Sequence, residues 1–181
     1  MKSRPPVPFL PLPAAECAAR AQGQAPSVRR RLAAFLYEGM LLFGVLFVSG
    51  MIFGPLMNQR HALVHRSGLM ATAFLVMALY FIWFWTHGGQ TLAMRAWHLR
   101  VVSFDGSTLG PRQALMRYVA AWLWFMPIFV GAWLLGWHQS KWVYGAILGW
   151  IAVYALLSWL HPQRQFLHDV LCKTRLIDTR T

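Results

Sequence analysis

Acidic residues are scarce in this chain. Asp and Glu number five among 181 residues, against seventeen Lys and Arg. Charged residues of both signs make up 12% of the sequence, about half the share of ~25% usual in soluble domains. Too little charge is present to cover an ordinary solvated surface. Cysteine is equally sparse. Cys17 and Cys172 stand alone in the two terminal segments, without metal-ligand spacing, and are read as reduced thiols of no assigned role. His87 and His161 lie near the ends of apolar runs, but no His pair is spaced for a metal on one helix and there is no Cys-x-x-Cys-His, so no metal or cofactor is expected. Ser158 and His161 share a helix end without a nucleophile elbow or a nearby second carboxyl, so the chain is not expected to be an enzyme.

What the chain has is apolar mass. Hydrophobic residues make up 57% of it, including ten Trp and twelve Phe. Four apolar segments stand out, at residues 32–53, 69–85, 118–137 and 142–160. Each approaches the ~20 residues that cross ~30 Å of hydrocarbon. The last two are separated only by residues 138–141, and together they are too long for one crossing. The expected fold is an all-α membrane protein: a four-transmembrane-helix bundle with both termini cytoplasmic and a small amphipathic and β element between helices two and three.

Charge supports that topology. Fourteen of the seventeen basic residues fall in the N-terminal segment, the loop after the second apolar run, or the C-terminal segment. Arg60, Arg66 and Lys141 fall on the other side, which satisfies the positive-inside rule. The net charge of +12 is therefore matched to anionic headgroups of a lipid bilayer rather than to nucleic acid. Trp83, Trp85 and Trp159, with Trp137 and Trp142 at the opposite ends, read as interfacial belt residues. Residues 1–28, broken by Pro8, Pro11 and Pro13, read as a disordered cytoplasmic tail, and residues 29–178 as the membrane domain.

The loop between the second and third apolar segments is patterned. Gln90 to Leu99 reads as a short amphipathic helix at the inner surface. Leu99 to Ser103 is strand-like and ends at the turn dipeptide Asp105-Gly106. Gly110-Pro111 opens a helix, with Pro at a permitted first-turn position. Thr174 to Asp178 is a second strand-like piece and is predicted to pair with the first. Pro127 should kink the third apolar helix and leave a carbonyl without its usual partner. Gly50-x-x-x-Gly54 and Gly145-x-x-x-Gly149 are spacings that let helices approach closely, for dimerisation or, the preferred reading, for packing within the chain.

Glu38 is the only acid inside an apolar run, two helical turns beyond Arg29-Arg30-Arg31. Burying its charge is costly, so it must be paired or line polar space. Arg31 lies on the same helix face seven residues earlier, too far along the axis for direct pairing. Two readings stand. Glu38 binds a cation or proton, or it fixes packing by accepting hydrogen bonds from another helix, with Arg117 the expected partner. Asp169, beside His168, is expected to cap the extension of the last apolar helix, to pair with Arg95 or Arg100, or to guide cations to an inner vestibule.

Three segments carry a family resemblance. The first is residues 30–38, Arg30-Arg31-Leu32 through Tyr37-Glu38. The second is Gly89-Gln90-Thr91-Leu92 with Leu99-Arg100-Val101-Val102 and Asp105-Gly106. The third is His168-Asp169-Val170-Leu171 with Thr174. In order and spacing they resemble the RDD family of bacterial inner-membrane proteins, named for one arginine and two aspartates. Glu38 stands where that family usually has Asp, and Ala93 and Ala96 where it often has Gly. The resemblance implies residence in the bacterial inner (plasma) membrane and transport or binding of an ion or small solute. Glu38, Arg31, Asp169 and Arg117 are the candidate ion- or solute-binding or polar-core residues. Four helices make a narrow bundle, so transport implies a homo-oligomer. The rival expectation is a non-transporting scaffold or accessory subunit.

Overall fold

The computed structural model describes residues 13–56, 66–137 and 140–180. The elements in order are α1 (Ala14–Ala21), α2 (Val28–Leu56), α3 (Arg66–Thr86), α4 (Leu92–Ala96), β1 (Leu99–Ser103), α5 (Pro111–Ala121), a 3₁₀ turn at Trp122–Trp124, α6 (Met126–Leu134), α7 (Trp142–Leu157), α8 (Leu167–Leu171) and β2 (Thr174–Asp178). The predicted loop around Arg60 and the His138-Gln139 break lie outside the described residues.

Among the described residues, two helices are long and apolar enough to cross a membrane, over Val28–Ile52 and Ser67–Thr86. They are apolar on nearly every side, as a span in lipid must be. Met40, Phe43, Phe47, Leu75 and Leu79 are exposed along them. The third apolar run is broken. Pro111–Trp124 and Met126–Leu134 together have the length of a span but bend by 53°. Pro127 is the cause: it lies in the first turn of α6 and has no N–H for the carbonyl four residues back. That carbonyl, on Leu123, instead accepts from Trp150 Nε1 at 3.0 Å. The predicted orphan carbonyl is therefore real, and a tryptophan of α7 satisfies it. α7 itself has 16 residues, about 24 Å at 1.5 Å per residue.

The strand pair matches the sequence expectation. β1 and β2 run antiparallel with Val101 opposite Leu176 and Ser103 opposite Thr174. Alternation sends Leu99, Val101 and Leu176 toward Trp85, Leu109 and Tyr118 at the feet of the helices. Val102 and Ile177 face the other way, onto Cys17 and Ala21 of α1. The ribbon is thus covered on both sides, and α1, β1 and β2 form one layer beneath the helices.

Four expectations need correction here. Residues 14–21, assigned to a disordered tail, form a helix, because Cys17 and Ala21 have an apolar strand face to cover. The amphipathic helix of the loop spans only Leu92–Ala96, stopped on one side by the Thr91 cap and on the other by His98 at φ 53° leading into β1. Trp85 is buried beneath the guanidinium of Arg117 and is no belt residue, whereas Trp83 and Trp159 are exposed. Among the described residues nothing approaches within 4 Å of a side-chain carbon built at Gly50, Gly145 or Gly149, so these glycines mediate no helix contact there.

Candidate functional site

The polar residues singled out from sequence converge where α2, α3, α5 and α8 meet the strand layer. Glu38 accepts from Tyr80 Oη of α3 at 2.6 Å, and its other oxygen accepts from Thr91 Oγ1. Thr91 in turn is the N-cap of α4 and accepts from Met94 N at 3.2 Å. Its hydroxyl therefore donates to the acid and accepts from the backbone at once. Gly89 positions this cap. It has φ +71°, and a side-chain carbon there would lie 2.3 Å from the carbonyl oxygen of Val101. Its own carbonyl accepts from Val101 N at 2.7 Å. The Gly-x-Thr spacing thus aligns β1 and delivers a hydroxyl to Glu38. Arg117, the partner expected for Glu38, is elsewhere: pairing depends on the rotation of each helix, and α5 turns Arg117 toward α8.

Asp169 is fully buried, and Arg117 is its partner, in place of Arg95 or Arg100. Arg117 Nε and Nη2 both reach Asp169 Oδ1, at 3.0 and 2.7 Å. Thr174 Oγ1 donates to the same oxygen at 3.1 Å. Burial opposes the charge of Asp169, but the charge of Arg117 and the hydrogen bonds from Arg117 and Thr174 outweigh it and hold the carboxyl below its ordinary value. The N-cap of α8 is Phe166, whose side chain provides no cap hydrogen bond. Asp169 thus joins α8 to α5 and β2 and caps nothing.

His168 is bound from one side by Tyr154. Its backbone N–H donates to Tyr154 Oη at 3.0 Å, which leaves the phenol proton for His168 Nδ1, also at 3.0 Å. Nε2 then carries the imidazole proton and faces Asp169 Oδ2 at 3.6 Å, beyond hydrogen-bond reach. Burial pushes the His168 pKa down to about 4, Asp169 opposing, with Arg117 and Arg31 adding to the fall. The imidazole is neutral at physiological pH.

Arg31 is only 4% exposed, with its guanidinium carbon 4.0 Å from the centre of the Phe166 ring. None of its three guanidinium nitrogens has a hydrogen-bond partner among the described residues. Its neighbour Arg30 is fully used: it pairs with Asp178 of β2 and reaches the Trp97 carbonyl. Arg31 lines a cavity of about 400 Å³ between α2, α3 and α5, bordered also by Glu38, Arg117, His168 and Asp169. The rest of the wall is apolar, with Phe35, Phe81, Trp122 and Trp124 among its rings. The size falls in the range of small-molecule sites, roughly 300–1,000 Å³.

The structure therefore brings Arg31, Glu38, Arg117 and Asp169 to one cavity. Phe166 lines it too, while Tyr80 and Thr91 hold Glu38 and Tyr154 holds His168 from behind the wall. The two tyrosines have no sequence signal beyond their aromatic character. Thr91 had one, as the hydroxyl of the Gly-x-Thr motif. Among the described residues, no group of three or more His, Cys, Asp or Glu side chains comes together that could hold a metal ion. No curated relative and no solved structure matches the chain. The model of the RDD family matches residues 25–173, a span that runs from the turn before α2 to the residue before β2, and the chain belongs to the RDD family.

Proposed function

We propose that the chain is a multi-pass protein of the bacterial inner membrane that binds a small solute in the cavity beside Arg31 and carries it across the bilayer. The observation that carries this reading is the buried Arg31 guanidinium, without a hydrogen-bond acceptor among the described residues, on the wall of a ligand-sized cavity. Buried charge is costly and is kept where it is paired or used. The strand layer supports a topology of four crossings. α1, β1 and β2 pack together, and two helical legs separate each from the next. With α2 and α3 as one pair of crossings, and α5–α6 and α7 as the other, both termini lie on the cytoplasmic side, where most of the arginines are. The protein then works without catalysis or a resident cofactor, its basic rim against anionic headgroups, as a homo-oligomer that widens the narrow bundle.

A scaffold role is the second reading, and the closure of Glu38 by Tyr80 and Thr91 favours it. A carboxylate with both oxygens engaged by hydroxyls has little capacity left for a cation. Flux in proteoliposomes separates the two. Purified protein, loaded with a pH-sensitive dye, is pulsed with Na⁺, K⁺ and Li⁺ and with small organic anions. Solute-dependent proton or charge movement that falls in Arg31→Gln supports transport. Absence of flux under every gradient, from protein shown to be folded, rejects transport and leaves the scaffold.

A further inference from the structure

We infer that the cavity takes an anionic amphiphile, with a carboxylate or phosphate head on the edge of the Arg31 guanidinium and an apolar body along the aromatic wall. This rests on the cavity being a binding site, as proposed above, and names the chemistry of its ligand.

The argument begins with the arginine. A guanidinium stays charged, presents five N–H donors in one plane, and matches carboxylate and phosphate in a two-point fork. The Arg31 guanidinium lies over the Phe166 ring, and among the described residues its three nitrogens remain unmatched. Of the nearby acids, Glu38 is engaged at both oxygens and Asp169 at one. Asp169 gives Oδ1 to Arg117 and Thr174. Glu38 lies seven residues along α2, ~10 Å at 1.5 Å per residue, and both its oxygens accept from hydroxyls. Trp85 Nε1 is a further buried donor without a partner on the same cavity. Among the described residues, Asp169 Oδ2 is the unmatched side-chain acceptor there. Unmatched donors thus outnumber acceptors, and a neutral His168 adds no positive charge of its own. An anion satisfies this arrangement and a cation does not.

The body of the ligand follows from the remaining wall. Away from the charged end, the lining is Phe35, Leu36, Leu42, Met77, Phe81 and Trp122. Phe35 and Leu36 are exposed on the outer side of α2, so the cavity reaches the face of the helix that lies in lipid. Arg31 sits in the first turn of α2, at headgroup depth for a helix that begins at Val28. A molecule in the inner leaflet can therefore present its head to Arg31 while its chain remains among apolar side chains. The volume of about 400 Å³ holds a head and part of one chain, not a whole two-chain lipid.

The test uses the full chain in phosphatidylcholine nanodiscs and a twelve-carbon fatty acid carrying a photoreactive diazirine. Peptide mapping by mass spectrometry should place the label on α2 and α5 residues of the cavity. Unlabelled dodecanoic acid should compete and dodecanol should not. Arg31→Gln should weaken labelling at least tenfold, with Arg31→Lys between it and wild type. If Arg31→Gln fails to fold, Gly39→Phe serves instead. Gly39 lines the cavity with nothing within 4 Å of an added side-chain carbon, so a phenyl there fills the site with Arg31 intact and should abolish labelling. Competition by dodecyl phosphate or phosphatidylglycerol, compared with dodecanoate, assigns the head to a lipid or to a free acid. Equal competition by dodecanol overturns the inference, as does full competition by inorganic phosphate or acetate alone, or label confined to the outer helix faces. Selective labelling without flux in proteoliposomes would retain this ligand and reject transport, so the two claims fail separately.

Discussion

Arg117 and Asp169, 52 residues apart, meet through a single carboxylate oxygen, with Nε at 3.0 Å and Nη2 at 2.7 Å of Asp169 Oδ1. The pair joins α5 to α8 in a place where both side chains are 5% exposed or less, and Arg117 also lies over Trp85 at 4.3 Å. Asp169→Ala leaves this guanidinium buried without its counter-charge and should cost about 3–5 kcal/mol. Arg117→Met alone should cost a similar amount. The double variant should cost much less than the sum, because neither orphan remains. Chemical unfolding in detergent, run as a double-mutant cycle, measures the coupling. Simple additivity would show that the two residues act independently.

How much of this was readable from sequence divides along physical lines. The strand pair, the Pro111 helix start and the Pro127 kink are set by local backbone chemistry, and the sequence displays that chemistry directly. Gly89 and Thr91 were visible as a motif, although the acid they serve was not. Partner choice was not legible, because it depends on helix rotation and depth. Arg117 was matched with Glu38, and Asp169 with Arg95 or Arg100, and both pairings were displaced. Trp85 looked like a belt residue because composition cannot distinguish a ring facing headgroups from one under an arginine. α1 was hidden by the prolines before it: its helix is held by the strands it covers, and those lie far away in sequence.

Glu38 should behave as a structural acid. Glu38→Gln keeps the side-chain size but weakens two charge-assisted hydrogen bonds, each worth about 1.5–3 kcal/mol at most. A lower midpoint of thermal unfolding in detergent is expected, with Tyr80→Phe and Thr91→Val each lowering it less. Thr91→Val also removes the α4 cap, worth about 0.5–2 kcal/mol. Unchanged stability of Glu38→Gln together with abolished flux would instead place the acid in a transport path.

Stability should fall with mild acid, and His168 is the reason. Its folded pKa is about 4, against ~6.5 in an unfolded chain. Between those values the unfolded chain binds the proton more readily, so stability present above pH ~6.5 declines as pH falls and is lost below about 4. A shift of this size corresponds to roughly 3 kcal/mol. Protonated His168 would place a charge among Tyr154, Asp169, Arg117 and Arg31. Asp169 and Asp178, whose carboxyls are held low, contribute a separate loss at still lower pH. Unfolding midpoints from pH 4 to 7 should slope for wild type and flatten for His168→Gln. An unchanged slope in the variant would assign it to another group.

Two glycine substitutions should separate local from global damage. At Gly106, φ is +84°, and an added side-chain carbon would lie 2.4 Å from both Cα and N of Ala18 in α1. At Gly89 the same carbon would meet the Val101 carbonyl oxygen at 2.3 Å, inside β1. Both conformations strain an L side chain, but what must move differs. Gly106→Ala can be relieved if α1 lifts from the ribbon, exposing Val102 and Ile177 while β1 and β2 stay paired. Gly89→Ala has no such outlet, since β1 and the Thr91 cap move with it. Gly106→Ala should therefore raise amide exchange over residues 14–21 and make the buried Cys17 reactive to maleimide, with little change in the unfolding midpoint of the helices. Gly89→Ala should lower that midpoint outright. Wild-type protection of Cys17 in Gly106→Ala would mean that α1 is held by something other than its seat on the Asp105-Gly106 turn and the strand face beside it.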